Sequence, residues 1–295
     1  MSGLIIFAYS YLAVGLIYAL WIWLFAGATF LSIPVNAVFG PIYILGVLLH
    51  FLTWRKKTIY RVFQGKKVVI FDLDGTVIDS QPSWNEAMEN VKKRLGFVGL
   101  ERNYPSGLNV SDKWEFLLRD YSGPVNVSVA DLSKATNDEF LKIYTEVEAR
   151  DGFWTLARYL KERGFKLALA SNTERYVVDE VVKRLEAGPV FDLIIAGDEV
   201  KHHKPHPEMY RVAVKKLGVS PKDVVIFEDS LIGTQAAIAS KIDTIVIWDE
   251  EISKVLYPRG AAFFLPDFEG LDVSIEKSPR QLLEEAAKES EESNE

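Results

Sequence analysis

Residues 68–76 read VVIFDLDGT, a short apolar run that ends in two carboxylates and a glycine. Such a run of β-branched and aromatic residues is typical of a buried parallel strand. Because residues i and i+2 of a strand point the same way, Asp72 and Asp74 are expected to share one small volume. Two anions so close repel each other unless a cation or a shared proton separates them. The stretch therefore indicates a metal site, although an Asp-rich turn with Gly75 at positive φ has the same composition.

Three further stretches place polar residues at or near the ends of predicted strands. They are Ser171-Asn172-Thr173 after a predicted strand at Lys166–Ala170, Lys204-Pro205-His206-Pro207-Glu208, and Glu228-Asp229-Ser230 after a predicted strand at Val224–Phe227. In this order the four stretches resemble the four motifs of the haloacid dehalogenase superfamily of phosphotransferases. The first and third look like those of the phosphoglycolate phosphatase and beta-phosphoglucomutase branch. The resemblance covers about Lys66 to Leu265 and leaves out the first 54 residues.

Predicted helices and strands alternate from Asp151 to about residue 270, which indicates a parallel sheet covered by helices. With the first strand they predict a Rossmann-like α/β core at 67–79 and 151–270. Residues 80–150 show helical periods and no buried parallel strand. The resemblance implies that they form an inserted helical cap, which closes over the site and excludes water. Three tryptophans are more typical of a core than of a substrate contact, namely Trp84, Trp114 and Trp154.

The resemblance also implies roles for particular side chains. It makes Asp72 the nucleophile that forms an aspartyl-phosphate, and Asp74 the general acid and base. Ser171 and Asn172 would bind the phosphoryl group, and Lys204 would bind it and neutralise its developing charge. By residue type alone, a serine at a strand end equally indicates a helix cap, and a lysine before proline indicates a solvated loop.

The cofactor implied by the resemblance is Mg²⁺, which prefers oxygen ligands and would shield the dianionic substrate from the attacking carboxylate. Its protein ligands would be the Asp72 carboxylate, the Asp74 backbone carbonyl and Asp229. Glu228 is a weaker candidate, either as a hydrogen-bonding neighbour or as a contact of the metal. Because dehalogenase relatives lack the second aspartate, Asp74 favours phosphoryl transfer over carbon–halogen cleavage.

Three histidines surround Lys204 in the sequence, at His202, His203 and His206. They invite a zinc interpretation, but the chain has no cysteine and the histidines lack a helical spacing with a carboxylate partner. Two prolines, Pro205 and Pro207, also interrupt the stretch. The sequence therefore argues against a histidine metal site.

The first 54 residues carry no Asp, Glu, Lys or Arg and contain two apolar stretches, at about 4–25 and 35–54. A helix needs roughly 20 apolar residues to cross a bilayer core. We therefore expect two transmembrane helices at 1–54 and a basic juxtamembrane linker at 55–66. A signal peptide is the alternative, because Ala26-Gly27-Ala28 has the form of a cleavage site, but no basic residue precedes it.

Basic residues cluster just after the second apolar stretch, at Arg55, Lys56, Lys57, Arg61, Lys66 and Lys67. By the positive-inside rule, this cluster predicts a multi-pass membrane protein whose catalytic domain is cytoplasmic. The linker joins the starting end of the first strand, whereas ligands bind beyond the carboxyl ends of parallel strands. The anchor alone therefore does not imply a lipid substrate, although a lipid-linked phosphate stays open.

The composition limits the partners of the chain. Among its 295 residues there is no cysteine, which excludes disulfides and thiolate catalysis. The net charge of −7, with no basic stripe, argues against a nucleic-acid partner. Residues 271–295 are rich in glutamate and predict an acidic, solvated tail. The expected partners are a small phosphorylated metabolite and the lipid bilayer.

Taken together, the sequence predicts a membrane-anchored, Mg²⁺-dependent phosphomonoester hydrolase that acts through an aspartyl-phosphate. A sugar-phosphate mutase of beta-phosphoglucomutase type is the nearest alternative, because the same residues can return the phosphoryl group to a sugar instead of water. A non-catalytic membrane adaptor is a third. The intact set Asp72, Asp74, Ser171, Lys204 and Asp229 argues against the adaptor.

Overall fold

The structure, a computed structural model, describes residues 58–100, 104, 107–250, 252–277 and 281. The transmembrane helices expected at 1–54, the first residues of the basic linker and nearly all of the acidic tail beyond residue 277 lie outside these ranges. Within the ranges described, no helix has both the length and the apolar character that a membrane crossing requires.

A sheet of six parallel strands forms the centre of the described domain. In chain order the strands are β1 Val68–Phe71, β2 Lys166–Ala170, β3 Leu193–Ile195, β4 Val224–Glu228, β5 Asp243–Ile247 and β6 Phe263–Leu265. Their order across the sheet is β3-β2-β1-β4-β5-β6. Since β1 lies between β2 and β4, the residues that follow these three strands meet at one edge, where open α/β sheets bind ligands.

Alternating side chains of β1 enter two separate layers of the core. Val69 and Phe71 pack into one apolar cluster, and Val68 and Ile70 pack into the other. All four are fully buried, so the β-branched and aromatic composition follows from burial on both faces. On the first face Phe71 stacks on Phe227 of the neighbouring strand at a centroid distance of 5.2 Å.

Helices cover both faces of the sheet. They are α1 Ile59–Phe63, α2 Gln81–Leu95, α3 Val110–Leu118, α4 Val129–Ile143, α5 Phe153–Glu162, α6 Arg175–Arg184, α7 Glu208–Leu217, α8 Leu231–Ala239 and α9 Leu271–Glu276. The expected α/β architecture of parallel strands covered by helices is confirmed. The sequence predicts helices at about 154–163, 175–185, 208–217 and 233–240, and these agree with α5 to α8 to within two residues at each end.

The region predicted to be a cap consists of α2, α3 and α4, and α2 and α3 each pack on α4. The rings of Trp84 in α2 and Phe140 in α4 stack with centroids 3.7 Å apart. In α3 the buried Trp114 donates a hydrogen bond from Nε1 to Thr136 Oγ1 of α4 at 2.9 Å. Trp84 and Trp114 are therefore core residues, as predicted, whereas Trp154 is 39% exposed. The helical periods noted in the sequence of this region lie at about 84–95 and 140–147, so α3 has no counterpart among them.

Part of the predicted basic linker belongs to the folded domain. Helix α1 lies inside it, and the side chains of Val62 and Phe63 are buried. The ammonium of Lys66 donates to the carbonyls of Lys222 and Val224 and pairs with Asp243 at 2.8 Å. Because its side chain is only 5% exposed, Lys66 contributes to the fold rather than to the surface charge assigned to it by the positive-inside argument.

Candidate active site

Lys204 is held by the residues that follow β2. Its backbone N–H donates to Asn172 Oδ1 at 3.0 Å, which fixes the loop next to that strand. The ammonium donates to Asp72 Oδ1 at 2.5 Å, to Glu228 Oε1 at 2.7 Å and to the Ala170 carbonyl at 2.9 Å. With 3% of its surface exposed, this lysine is not a solvated loop residue. It joins the ends of the three central strands through one buried cation.

Glu228 is completely buried and fully hydrogen-bonded. Its Oε1 accepts from Lys204 and from the Tyr210 hydroxyl at 2.6 Å. Its Oε2 accepts from the backbone N–H groups of Asp229 and Ser230 and from the Ser230 hydroxyl. The side chain therefore positions Lys204 and the start of the next loop, in agreement with the weaker role of hydrogen-bonding neighbour.

Asp72, Glu228 and Asp229 each contribute a carboxylate oxygen to a cluster in which all three atoms lie within 4.8 Å of one another. Burial is the main reason that the pKa of Asp72 is raised to about 8, and the charges of Glu228 and Asp74 raise it further against the opposing charge of Lys204. Burial and the Asp72 charge likewise raise the pKa of Asp229 well above its usual value.

Such a crowded set of hard oxygen ligands fits a divalent cation of the Mg²⁺ type, which would offset the repulsion among the carboxylates. Thr76 orients Asp229 by donating from Oγ1 to Oδ1 at 3.1 Å. A Cβ on Gly75 would overlap the Asp229 carboxylate, and the φ of Gly75 is +90°. The turn after β1 therefore requires glycine at this position, so that the backbone can approach the cluster.

Asp74 faces the cap side of the site and accepts hydrogen bonds on both of its oxygens. Oδ1 accepts from Ser80 Oγ at 2.7 Å and Trp84 Nε1 at 2.8 Å. Oδ2 accepts from Thr173 Oγ1 at 2.8 Å and Ser171 Oγ at 3.2 Å. The carboxylate is thus held between a cap helix and the residues after β2, which gives Trp84 a place in the site as well as in the core.

All but one of the predicted site residues line a single cavity between cap and core. The residues that share it are Asp72, Asp74, Ser171, Asn172, Lys204 and Asp229. Glu228 is the exception, since it lies beneath the cavity and reaches it through Lys204. The structure brings together the residues named by the motifs, while their individual roles stay predictions.

Lys113 of α3 lines the same cavity, although it was not among the site residues predicted from the sequence. It is 5% exposed, and its ammonium lies over the rings of Trp84 and Tyr104, 5.9 and 5.3 Å from their centroids. Burial lowers the pKa of Lys113 to about 8, while the charge of Asp74 acts in the opposite direction. The only sequence signal was a lysine on an amphipathic helix, which is ordinarily solvated.

Two further contacts hold the cap against the core beside the cavity. Asn172 Nδ2 donates to the Gly107 carbonyl at 3.1 Å. Asn109, whose Oδ1 caps the N-terminus of α3, donates from Nδ2 to His203 Nδ1 at 2.7 Å. His203 Nε2 lies 3.2 Å from the Gly197 carbonyl, which can only accept, so this nitrogen carries the proton. The loop that contains Lys204 is thereby connected to the cap.

The other two histidines of this loop do not enter the cavity. His202 and His206 lie at the surface with Glu208, and one ligand atom from each comes within 4.8 Å of the others. The two prolines therefore do not keep His202 and His206 apart, contrary to the expectation from the sequence. His202 Nδ1 and Glu208 Oε2 lie 2.7 Å apart, and the Glu208 backbone N–H donates to His206 Nδ1. Because Glu208 is the first residue of α7, a structural role at the start of this helix also accounts for the cluster.

Comparison with known proteins agrees with this geometry. A family model described as haloacid dehalogenase-like hydrolase matches residues 69–247. A phosphorylated carbohydrates phosphatase of Thermotoga maritima is 30% identical over 210 residues, which are 70% of this chain and 97% of the relative.

Two solved structures share the fold over 70% of this chain. One is CbbY from Rhodobacter sphaeroides in complex with xylulose-(1,5)-bisphosphate, with a TM-score of 0.63, 25% identity and 96% of that chain covered. The other is a putative beta-phosphoglucomutase from Thermotoga maritima, with a TM-score of 0.55, 27% identity and 97% of that chain covered. The chain therefore belongs to the haloacid dehalogenase-like hydrolase family, as its motifs predict, and it is a phosphatase enzyme.

Proposed function

We propose that this enzyme hydrolyses phosphate monoesters of small sugars or polyols with the help of Mg²⁺, through an aspartyl-phosphate on Asp72. The observation that carries the proposal is the buried ammonium of Lys204, which donates to Asp72 and Glu228 inside the cavity that Asp74 and Asp229 also line. The sugar part is supported by the name of the Thermotoga maritima phosphatase, which acts on phosphorylated carbohydrates.

The chemistry follows from the positions of three side chains. An Asp72 carboxylate oxygen attacks phosphorus, the bond from phosphorus to the ester oxygen breaks, and Asp74 gives that oxygen a proton. A water molecule then attacks the phosphorus of the aspartyl-phosphate and passes a proton to Asp74, and the bond from phosphorus to Asp72 breaks. The Lys204 ammonium stabilises the negative charge that develops on the transferred group.

Mg²⁺ would be held by Asp72, Asp229 and the Asp74 backbone carbonyl, and it would neutralise negative charge on the phosphoryl oxygens. The raised pKa values of Asp72 and Asp229 support this assignment, because these carboxylates are poorly compensated by the protein's own charges. Glu228 would keep its hydrogen bonds to Lys204 and to the loop that carries Asp229.

Release of inorganic phosphate from a panel of sugar and polyol phosphates, with and without Mg²⁺, tests the proposal. We expect Asp72→Asn to reduce kcat by at least about a thousandfold, because it removes the nucleophile. Asp79→Asn is the matched control, since Asp79 follows the same strand but its side chain is 63% exposed. Activity retained by Asp72→Asn, or lost equally in both variants, would contradict the assignment.

A mutase is a second candidate, because the chain resembles a putative beta-phosphoglucomutase. In a mutase the aspartyl-phosphate passes its phosphoryl group to a sugar hydroxyl instead of water. Following a sugar monophosphate by ³¹P NMR separates the two reactions. A phosphatase releases inorganic phosphate in step with substrate loss, whereas a mutase yields an isomeric ester without phosphate release.

We further propose that residues 1–54 anchor the enzyme in a membrane with its catalytic domain in the cytoplasm. Support comes from the two uncharged apolar stretches and from the basic residues Arg55, Lys56 and Lys57 that follow them. The test expresses the full chain and extracts membranes with alkaline carbonate. Recovery in the supernatant would contradict anchoring, and protease protection of the catalytic domain in sealed cells distinguishes the two orientations. Lipid-linked phosphates belong in the substrate panel for the same reason.

A further inference from the structure

A second cleft between cap and core continues from the catalytic cavity. This distal cleft has a volume of about 350 Å³, and it shares Asn109, Val110, Asn172 and Thr173 with the cavity that contains Asp72. Because the shared residues include two that flank the predicted phosphoryl position, a substrate whose phosphate meets Asp72 can extend into the distal cleft. None of the steps assigned above uses this space.

Asn137 of α4 lines the distal cleft and carries a buried hydrogen-bond acceptor. The residue is 1% exposed, and its Oδ1 has no hydrogen-bond partner among the residues that the structure describes. Its side chain does interact with Glu174: burial and the charge of Asp198 raise the pKa of that carboxyl, and the hydrogen bond from Asn137 partly opposes this rise. A buried carbonyl oxygen without a donor is unfavourable, and a ligand hydroxyl would satisfy it.

The charge of the distal cleft is negative. Glu174 and Asp198 line it, and among its described lining residues there is no lysine or arginine. The nearby Arg175 is engaged elsewhere, since its guanidinium bonds to Asp179, Glu199 and the Ile194 carbonyl. His203 is the remaining titratable group, and both of its ring nitrogens are occupied by Asn109 and Gly197.

These features distinguish a hydroxyl from a phosphate. Carboxylate and amide oxygens accept hydrogen bonds from hydroxyl groups, which are uncharged donors. A second phosphate would instead meet two carboxylates without a compensating cation, and like charges brought together disfavour binding. An acceptor-rich cleft therefore selects against a substrate with phosphates at both ends.

We propose that the distal cleft binds the uncharged, hydroxyl-bearing part of the substrate, and that the enzyme is therefore selective for monophosphates of polyols or sugars over the corresponding bisphosphates. The inference rests on the proposed function, because it assumes that Asp72 attacks the phosphate ester of the substrate. It adds the chemical class of the leaving group and the residues, Asn137 and Glu174, that recognise it.

The first experiment measures kcat/KM of the full chain for mannitol monophosphate, mannitol bisphosphate and acetyl phosphate, which has no hydroxyl to place in the cleft. We expect the monophosphate to exceed the bisphosphate by at least about tenfold, because the second phosphate faces Glu174 and Asp198. Equal or greater kcat/KM for the bisphosphate overturns the inference.

Two variants then assign the selectivity to the cleft. Asn137→Leu is expected to raise KM for mannitol monophosphate about fivefold through loss of one hydrogen bond, with acetyl phosphate unaffected. Asn90→Leu is its control, because Asn90 is also an asparagine of a cap helix, is partly buried, and hydrogen-bonds to Glu139 outside the cleft. An unchanged KM in Asn137→Leu, or an equal loss for acetyl phosphate, overturns the assignment.

Glu174→Lys provides a test that does not depend on the fold of the Asn137 variant. It is expected to raise kcat/KM for the bisphosphate relative to the monophosphate by at least about tenfold, since a cation replaces an anion in the cleft. Glu186→Lys makes the same change of charge at an exposed position outside the cleft and should leave the ratio unchanged. A ratio that shifts equally in both variants overturns the inference.

The outcomes also separate this inference from the proposed function. Release of phosphate from all three compounds without preference leaves the phosphatase assignment standing and overturns only the role of the distal cleft. Absence of phosphate release from every compound, with Mg²⁺ present, overturns the proposed function and this inference with it.

Discussion

Asp72 and Lys204 form an ion pair inside the domain although 132 residues separate them in the sequence. The charges of Asp72 and Glu228 raise the pKa of Lys204 despite its burial, so the ammonium keeps its proton throughout the physiological range. Removing one partner of such a buried pair leaves the other charge uncompensated, which typically costs about 3–5 kcal/mol. Lys204 variants would therefore combine lost activity with lost stability, whereas variants of Lys113 are a cleaner test of charge in the cavity.

Lys113 is expected to contribute its charge to substrate binding only below about pH 8. Burial lowers the pKa of Lys113 to about 8, so the ammonium is present below that pH and is lost above it. Since a phosphate ester is anionic, kcat/KM of the wild type at saturating Mg²⁺, where Asp72 is expected to be ionised, should fall as the pH rises through this value. In Lys113→Met we expect a loss of about tenfold below pH 8 and no further fall near pH 8.

Lys113→Arg and Lys142→Met complete this test. Arginine stays charged at all accessible pH values, so the fall near pH 8 should disappear in Lys113→Arg while activity is retained at higher pH. Lys142 belongs to α4, but its side chain is 69% exposed, so Lys142→Met should resemble the wild type. A pH profile that is identical in wild type and Lys113→Arg would show that Lys113 is not the titrating group.

Among the elements, the segment leading into α3 fixes the cap against the core. Gly107 lies there with a φ of +86°, and a Cβ on it would come within 2.5 Å of Ser230 Oγ and 2.8 Å of Ile232 Cγ1. We expect Gly107→Ala to prevent this close approach and to lower kcat/KM by at least about tenfold, because a displaced cap no longer excludes water from the site.

Gly99→Ala is the matched control for this prediction. Gly99 also has a positive φ of +72°, but a Cβ there would meet no atom of the described residues within 4 Å. Both alanine variants pay the cost of a left-handed backbone, about 1 kcal/mol in the free energy of unfolding. Steady-state kinetics together with denaturant unfolding separate the two effects. Equal activity in Gly107→Ala and Gly99→Ala would rule out a role for the contact with Ser230.

Asn109 connects the start of α3 to the loop that carries Lys204. A variant of a second helix cap, at Ser128, is the control for this connection. Asn109→Ala removes the cap of α3 and the hydrogen bond to His203, whereas Ser128→Ala removes only the cap of α4. Each variant should lose about 1 kcal/mol in the free energy of unfolding. Only Asn109→Ala should also raise KM by a few-fold, and an equal KM in both variants would contradict the coupling.

The elements also show why part of the site could be predicted from the sequence. Asp72, Ser171 and Asp229 follow buried strands whose apolar runs are plain in the sequence, and parallel neighbours bring such residues to one edge of the sheet. Lys113 and Asn137 lie on cap helices, where their direction depends on how α2, α3 and α4 pack. Sequence periodicity does not encode that packing, so the substrate-facing side of the site was out of reach.

Other differences have local causes. Strand β6 was not among the predicted strands. It is an edge strand of three residues, all of them only partly buried. Lys66 was grouped with surface charges because its sequence neighbours are basic. Its burial depends on Asp243 and two carbonyls more than 150 residues away, which no local pattern reveals.

At the scale of the whole domain, the carboxylate cluster sets how stability depends on pH and on Mg²⁺. Burial raises the pKa of Asp72 from 3.8 to about 8. Without a cation, the folded domain therefore keeps the Asp72 proton between these pH values, whereas the unfolded chain has already released it. The contribution of Asp72 to the free energy of unfolding of the metal-free protein should therefore decrease as the pH rises from about 4 to about 8.

Mg²⁺ is expected to reverse this loss, because it binds the folded cluster in its ionised form. At a concentration of about 100 times Kd, binding adds about 2.7 kcal/mol to the free energy of unfolding, which raises Tm by about 5–10 °C for a domain of this size. The increase should be larger at pH 8 than at pH 5, since protons compete with the cation at the lower pH. Differential scanning calorimetry with Mg²⁺ or EDTA measures it.

Asp229→Asn separates a specific site from a general effect of salt. The substitution removes a proposed ligand and also a partly buried carboxyl whose pKa is raised well above its usual value. At neutral pH we therefore expect Asp229→Asn to be more stable than the wild type in EDTA, and to gain little Tm from Mg²⁺. Asp79→Asn, which changes an exposed carboxylate, should keep the full increase. If Mg²⁺ raised Tm equally in all three proteins, or equally at both pH values, the carboxylates at the ends of β1 and β4 would not be its binding site, and the charge of this cluster would have to be balanced by Lys204 and bound protons alone.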